Sequence, residues 1–323
     1  MKALMVTELS GPAGLRLLDV DQPSPDGGVL IDVAAAGVSF PDLLLTRGRY
    51  QERPEPPFAP GLEVAGTVVS APADSGHAEG DRAAAFMPHG GYAERVAVPA
   101  HRVVAIPPEA SFEVAAAMLV NYHTVLFALE RRAAIRAGEV LVVLGAGGGI
   151  GTAAVQVGAA LGARVLAVVR DEAGRETATR AGAEEVIDLG DGLRDRAREL
   201  TGGRGADVIL DPVGGELFAE AIRCLAPEGR LLVVGFAAGS IPELKVNRLL
   251  LRNASVAGVA WGAFTEVDRE LVGRGAAILA PMLADGRIDP VIAACYPLAE
   301  GARALADLEG RRVRGKSVLV VGA

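Results

Sequence analysis

The stretch from Val140 to Gln156, VLVVLGAGGGIGTAAVQ, constrains the fold more than any other part of this 323-residue chain. A wholly apolar run ends at Leu144. Glycines at 145, 147, 148, 149 and 151 then crowd the turn before a helical pattern begins. Lacking a Cβ, they let backbone N–H groups and a helix amino terminus come close to a pyrophosphate, and Gly151 permits tight helix-to-sheet packing. A glycine fingerprint alone is a weak signal. Here it sits between one apolar strand and a second, RVLAVV at 164 to 169, which is the context a dinucleotide site requires.

The same grammar repeats downstream. Strands are expected at 140–145, 164–169, 185–188, 207–211, 230–235 and 255–260, with helices at 150–161, 172–181, 192–200 and 215–225 between them. Strands that are apolar throughout belong in a parallel sheet buried on both faces, and six of them alternating with helices make an α/β, doubly wound Rossmann sheet. The first 110 residues read differently, as short strands broken by turns, with the proline-rich loop Arg49 to Gly61 among them. A helix is expected from Ser111 to Ala134. The tail carries helices near 266–284 and 298–308 and a final strand at 317–321. It is too short to stand alone and is expected to return to the first domain. The resulting division is 1–120, a mostly-β catalytic domain; 121–260, the nucleotide-binding domain; and 261–323, the return segment.

Composition narrows the function. With 32 Lys+Arg against 40 Asp+Glu, the formal charge of −8 argues against a nucleic-acid surface. No uncharged apolar run approaches the roughly 18 to 20 residues of a membrane span. Two cysteines, Cys224 and Cys295, cannot build a disulfide scaffold, so a reducing, cytoplasmic setting is expected. His77, His89, His101 and His123 form no metal spacing.

The end of the second strand sets which dinucleotide fits. An acid there receives the ribose 2′-hydroxyl of NAD and repels the 2′-phosphate of NADP. This chain has Arg170 after Val169, with Arg175 nearby, and a guanidinium favours NADPH through charge-assisted bonds to the phosphate. Asp171 is the counter-signal.

The sequence resembles the zinc-independent quinone oxidoreductase (zeta-crystallin-like) branch of the medium-chain dehydrogenase/reductases over essentially its whole length. The likeness is carried by AAAGVSFPDLLLTRGRY (34–50), PFAPGLEVAGTV (57–68), GDRAAAF (80–86), GGYAERVAVP (90–99), NYHTVLFAL (121–129), the glycine turn, LDPVGG (210–215), WGAF (261–264) and RGKSVLVV (314–321). It implies a GroES-like catalytic domain beside the nucleotide-binding domain. Zinc-dependent relatives place a Cys two residues after a Gly and a His within G-H-E. Here Ser39 follows Gly37, and Leu62 stands in Gly61-Leu62-Glu63, so the thiolate and imidazole donors zinc needs are missing and no metal is expected.

Without a Lewis acid, the feasible reaction is hydride delivery to an already electrophilic conjugated carbonyl, with the protein positioning the nicotinamide and excluding water. The resemblance places Ser39, Asp42, Tyr50 and Glu63 as catalytic positions, with Ser39 where relatives usually have Asn. It places Asn121, Thr124, Gly148, Gly149, Ile150, Gly151, Arg170, Gly235, Phe236, Trp261 and Lys316 at the cofactor, Lys316 near a phosphate. Leu189 stands where relatives often stack a Tyr on adenine. Three readings stay open: an NADPH:quinone oxidoreductase, an ene-reductase of enones or enoyl thioesters, and a non-catalytic NADPH-binding protein. Likeness also implies a homodimer through the edge strand SVAGVA.

Overall fold

The computed structural model describes residues 1–322. In chain order the elements are β1 (Lys2–Val6), β2 (Leu15–Asp19), β3 (Val29–Val38), α1 (Phe40–Thr46), β4 (Glu63–Ser70), β5 (Arg82–Phe86), β6 (Arg95–Val98), β7 (Val103–Ala105) and α2 (Phe112–Leu126). There follow β8 (Val140–Leu144), α3 (Gly149–Ala160), β9 (Arg164–Val169), α4 (Glu172–Arg180), β10 (Glu185–Asp188), α5 (Leu193–Leu200), β11 (Ala206–Asp211), α6 (Gly215–Cys224) and β12 (Leu225–Val233). The last are α7 (Asn247–Leu250), β13 (Ser255–Gly258), α8 (Trp261–Phe264), α9 (Leu271–Ala284), β14 (Ile292–Pro297), α10 (Gly301–Glu309) and β15 (Lys316–Val320). They form two compact units: one of residues Met1–His123, Gly262–Ala284 and Ile292–Ala323, the other of Thr124–Trp261 and Asp285–Val291.

The second unit is the six-stranded sheet, in the order β10-β9-β8-β11-β12-β13, all strands parallel. Every residue of β8 and of β11 is buried, which is why those strands carry no apolar-polar alternation. Asp207, near the start of β11, is satisfied in place: Oδ2 accepts the Val140 N–H at 2.8 Å, and Arg204 pairs with Oδ1 at 2.6 Å. The segment 285–291 belongs here because Asp289 exchanges two hydrogen bonds with the Gln156 side chain on α3, at 2.6 and 2.9 Å.

The first unit is built on a seven-stranded sheet, β14-β15-β3-β4-β5-β7, with β6 also paired to β3. It is antiparallel except where β14 runs parallel to β15. Its centre, β3, is pinned against β15 with Val38 opposite Ser317, which fixes residues 39 and 316 side by side. The helix Phe112–Arg132 is long and apolar enough to cross a membrane by composition, yet most of its side chains are buried inside the fold.

Several elements depart from the sequence reading. Helix α1 is not among the expected elements; its Pro41 falls in the first turn, where a proline loses no helical hydrogen bond. Strand β14 was missed because it is a short edge strand whose burial alternates between half and none. The helix expected over 111–134 gives way at Phe127 to a π-helical turn ending at Arg132. Strand β12 begins at Leu225, ahead of the expected 230, through an irregularity opposite Ala206–Val208, and α9 begins at Leu271, after the expected 266.

Candidate functional site

In the first unit, Ser39, Asp42, Glu63 and Lys316 are brought together by hydrogen bonds, all nearly or fully buried, with exposures of 5%, 0%, 0% and 4%. Ser39 ends β3 and opens α1. Its N–H donates to Asp42 Oδ2 at 2.7 Å, which anchors the first turn of the helix. The same oxygen accepts the Tyr92 hydroxyl at 3.0 Å, and Oδ1 accepts the Gly61 N–H at 3.0 Å. Tyr92 was not among the expected site residues, although it lies in the GGYAE motif.

Burial pushes the Asp42 carboxyl up to about 7, against the downward pull of these donors and of Lys316. Burial beside Asp42 also raises the Tyr92 phenol well above its usual value. A folded-state value above the ordinary 3.8 means the native state binds this proton more tightly than the unfolded chain does. The stabilisation is therefore complete below 3.8 and is lost as pH rises through about 7, a change of about 4 kcal/mol. Urea midpoints measured from pH 4 to 8 should fall across this window, and Asp42→Asn should remove this component of the slope. Equal slopes in the two proteins would contradict the assignment.

Glu63, at the start of β4, accepts the Val120 N–H at 2.7 Å through Oε2. Its Oε1 pairs with the Lys316 ammonium, whose Nζ also lies 2.5 Å from Ser39 Oγ. This corrects the expectation for Lys316. Its ammonium is a buried counterion for Glu63, because the register of β15 on β3 sets residue 316 beside residue 39 in the interior of the first unit. Tyr50 lies apart from these bonds: it is half-buried, burial raises its phenol, and its hydroxyl is engaged by Gln51. Asn121 is buried on α2. Among the described residues, no three His, Cys, Asp or Glu side chains come together in a way that could hold a metal.

In the second unit, the expected cofactor residues follow the carboxyl ends of the parallel strands: Gly148 to Gly151 after β8, Arg170 after β9, Gly235 and Phe236 after β12, and Trp261 after β13. The order reverses between β8 and β11, and such a switch point is where doubly wound sheets take their ligands. The residues present fit a dinucleotide. The amides of Gly149, Ile150 and Gly151 open a 12-residue helix and have no acceptor within it, as anion binding at a helix start requires. A Cβ on Gly151 would lie 2.2 Å from the Gly145 carbonyl oxygen, so only glycine lets this helix sit so close to the turn.

Arg170 is exposed, and no carboxylate pairs with it among the described residues, whereas Arg175 is tied to Asp188 and Glu172. Asp171 caps α4, accepting the Gly174 N–H at 2.8 Å, so its charge is already engaged. Thr124 is half-buried on α2, and Phe236, after β12, is 36% exposed. Trp261, expected to wall a nicotinamide, is 3% exposed, a core side chain. Asp211, in the LDPVGG motif, was not singled out by sequence. Its Oδ1 accepts the Val213 and Gly214 N–H groups, shaping the turn after β11, while its buried Oδ2 has no partner and burial raises its pKa.

Residues 25–108 match the family described as the alcohol dehydrogenase GroES-like domain, and residues 149–274 match that described as zinc-binding dehydrogenase. The chain is 34% identical to quinone oxidoreductase-like protein 2 of Bos taurus over 321 residues, covering 98% of this chain and 92% of that protein. A solved probable oxidoreductase from Mycobacterium abscessus is 48% identical with a TM-score of 0.91, covering 99% of this chain and 98% of the other. A mycobacterial protein solved in complex with NADPH is 33% identical with a TM-score of 0.92, covering 99% and 100%. The GroES-like and Rossmann architectures and the length of these matches agree, and the chain belongs to the quinone oxidoreductase family of the medium-chain dehydrogenase/reductases.

Proposed function

We propose that this chain is an NADPH-dependent, zinc-independent quinone oxidoreductase of the cytoplasm that works as a homodimer. The observation that carries the reading is the glycine turn with its free first-turn amides beside an unpaired Arg170. When bound, the dinucleotide supplies a hydride from its nicotinamide. The chain's own work in the second unit is to hold the phosphates at residues 148–151.

Zinc-independence is supported by the donor set: Ser39 and Leu62 offer neither thiolate nor imidazole, and the charge of Glu63 is matched by the Lys316 ammonium. The homodimer is supported by β13 at the sheet edge and by the exposed Ile241, Val246, Leu250 and Leu251 in the segment before it. A monomer at micromolar concentration in sedimentation would remove that part of the reading.

Fluorescence titration tests the cofactor. NADPH should bind more tightly than NADH, and Arg170→Ala should close the gap by about 10- to 100-fold, the worth of a charge-assisted bond to phosphate. Affinities that are already equal in the unaltered protein would refute the specificity. Steady-state rates with quinones against enones and enoyl thioesters test the acceptor. Turnover of enoyl thioesters alone would replace the quinone reading with the ene-reductase.

A further inference from the structure

We infer that the cavity lined by Arg194, Arg223, Arg248 and Arg252 in the second unit is an anion site, separate from the glycine turn, that takes a diphosphate group. The inference goes beyond the functional reading above and does not depend on it. The cavity measures about 240 Å³, and Ile222 and Leu251 complete its walls. Sites for drug-sized ligands run to roughly 300–1,000 Å³, so the occupant is small.

Its place in the fold sets it apart from the dinucleotide. Arg252 Nη1 donates to the carbonyl of Leu225, the first residue of β12, at 2.5 Å, and the Arg252 carbonyl accepts the Glu228 N–H at 2.9 Å. Arg252 itself stands just before β13. The cavity therefore adjoins the amino ends of these strands, whereas the glycine turn, Arg170 and Gly235 follow carboxyl ends. Three separate elements supply the charge. Arg194 comes from α5, Arg223 from α6, and Arg248 and Arg252 from one face of the turn that holds Leu251, at a spacing of four residues. Only that last segment is shared with the proposed dimer face.

The charges are uncompensated. Among the described residues no carboxylate pairs with any of the four arginines, and the bond to Leu225 occupies one of the five N–H donors of Arg252. Acids are at hand nonetheless. Burial and the Glu220 carboxylate push the Cys224 thiol up to about 12, with Arg194 and Arg252 pulling against them and Asp195 adding to the rise. These two arginines thus act on one buried side chain, and neither neighbouring acid forms an ion pair with them. A cation suits the end of a helix, which accounts for Arg223 in the last turn of α6. It is unfavourable at a helix start, where Arg194 stands in the first turn of α5. Four guanidiniums around one small space in a chain of net charge −8 repel one another until an anion enters. Guanidinium N–H groups match phosphate oxygens in pairs. One phosphoryl group carries about −2 at pH 7, so two are needed to balance the set.

Calorimetry with inorganic pyrophosphate at low salt, on protein already loaded with one equivalent of NADPH, tests the site. One pyrophosphate should bind per chain, with an affinity that falls as salt is raised. Orthophosphate should bind about 10-fold more weakly. Arg223→Gln/Arg248→Gln should weaken pyrophosphate about 100-fold, about 10-fold for each charge-assisted bond lost, and leave NADPH affinity and the urea midpoint unchanged. Neither side chain makes a hydrogen bond or ion pair in the folded chain, so this variant should fold; if it does not, Arg194→Gln replaces it, with a loss of about 10-fold. ADP tells apart two sources of the same chemistry: displacement of pyrophosphate shows that a nucleoside diphosphate is accepted, failure to displace it restricts the site to the free anion, and either agrees with the inference.

No binding of pyrophosphate, binding that survives the arginine variants, or orthophosphate bound as tightly would overturn it. So would a glutamate-rich peptide that binds through these arginines where pyrophosphate does not, which would make the cavity a protein contact. Protein that takes up no NADPH fails the functional reading instead, and the same titration of the unloaded chain and its arginine variants still decides this site.

Discussion

Gly151→Ala should abolish NADPH binding and cost about 1–3 kcal/mol of stability, the range for forcing an extra carbon into a packed site. The added Cβ would sit 2.2 Å from the Gly145 oxygen and 2.6 Å from the Ala146 Cα, both backbone atoms that no rotamer change can move aside. Either α3 lifts from the sheet or the 145–146 turn swings out, and both displace the amides that meet the phosphates. Gly148→Ala separates the two effects. Its Cβ meets nothing nearer than the Gly145 oxygen at 3.5 Å, and its φ of −91° suits any residue. Stability should stay within about 0.5 kcal/mol, as for changes that touch no packed feature, while a bound pyrophosphate has to compete with the new methyl. Fluorescence titration and urea unfolding of the two variants check this. Tight NADPH binding by Gly151→Ala would place the cofactor somewhere other than the glycine turn.

Glu63→Ala should be the most destabilising single change in the first unit, at about 3–5 kcal/mol, the cost of leaving one member of a buried ion pair alone. The Lys316 ammonium would keep Ser39 Oγ as a partner but lose its counter-charge, and the Val120 N–H would lose its acceptor. Removing both charges in Glu63→Gln/Lys316→Met should recover most of the loss, because the glutamine carbonyl still accepts from Val120 and no buried charge remains. Urea unfolding of the single and double variants measures the coupling. Simple additivity would show that the pair is not coupled in solution.

The parallel sheet was readable because its strands are buried on both faces: VLVVL is apolar throughout, RVLAVV is apolar after Arg164, glycine turns and helical patterns separate such runs, and the observed order is the doubly wound one. Helix α1 was not assigned from the sequence, although Ser39 and Asp42 carry the spacing of a helix start, because at seven residues it is too short to show a helical period. The polar network of the first unit was legible only in part. Ser39, Asp42 and Glu63 stand in motifs, but what each side chain touches depends on contacts far along the chain. Lys316 lies 253 residues from Glu63, and a lysine near a carboxyl terminus reads as solvated until the pairing of β15 with β3 turns it inward. Arg175 illustrates the same limit at shorter range: beside Arg170 it reads as a second phosphate ligand, and its pairing with Asp188 removes it from that role.

The central claim is that a dinucleotide held by the peptide amides after β8 passes a hydride to an acceptor that no metal activates. Stopped-flow mixing of metal-free protein, loaded with NADPH deuterated at the transferable C4 position, against a quinone tests it most directly. The account predicts that one equivalent of cofactor is oxidised per bound equivalent, more slowly than with the undeuterated form and without added zinc. Cofactor that stays bound and reduced whatever electrophile is offered, or oxidation that appears only when zinc is restored, would contradict it.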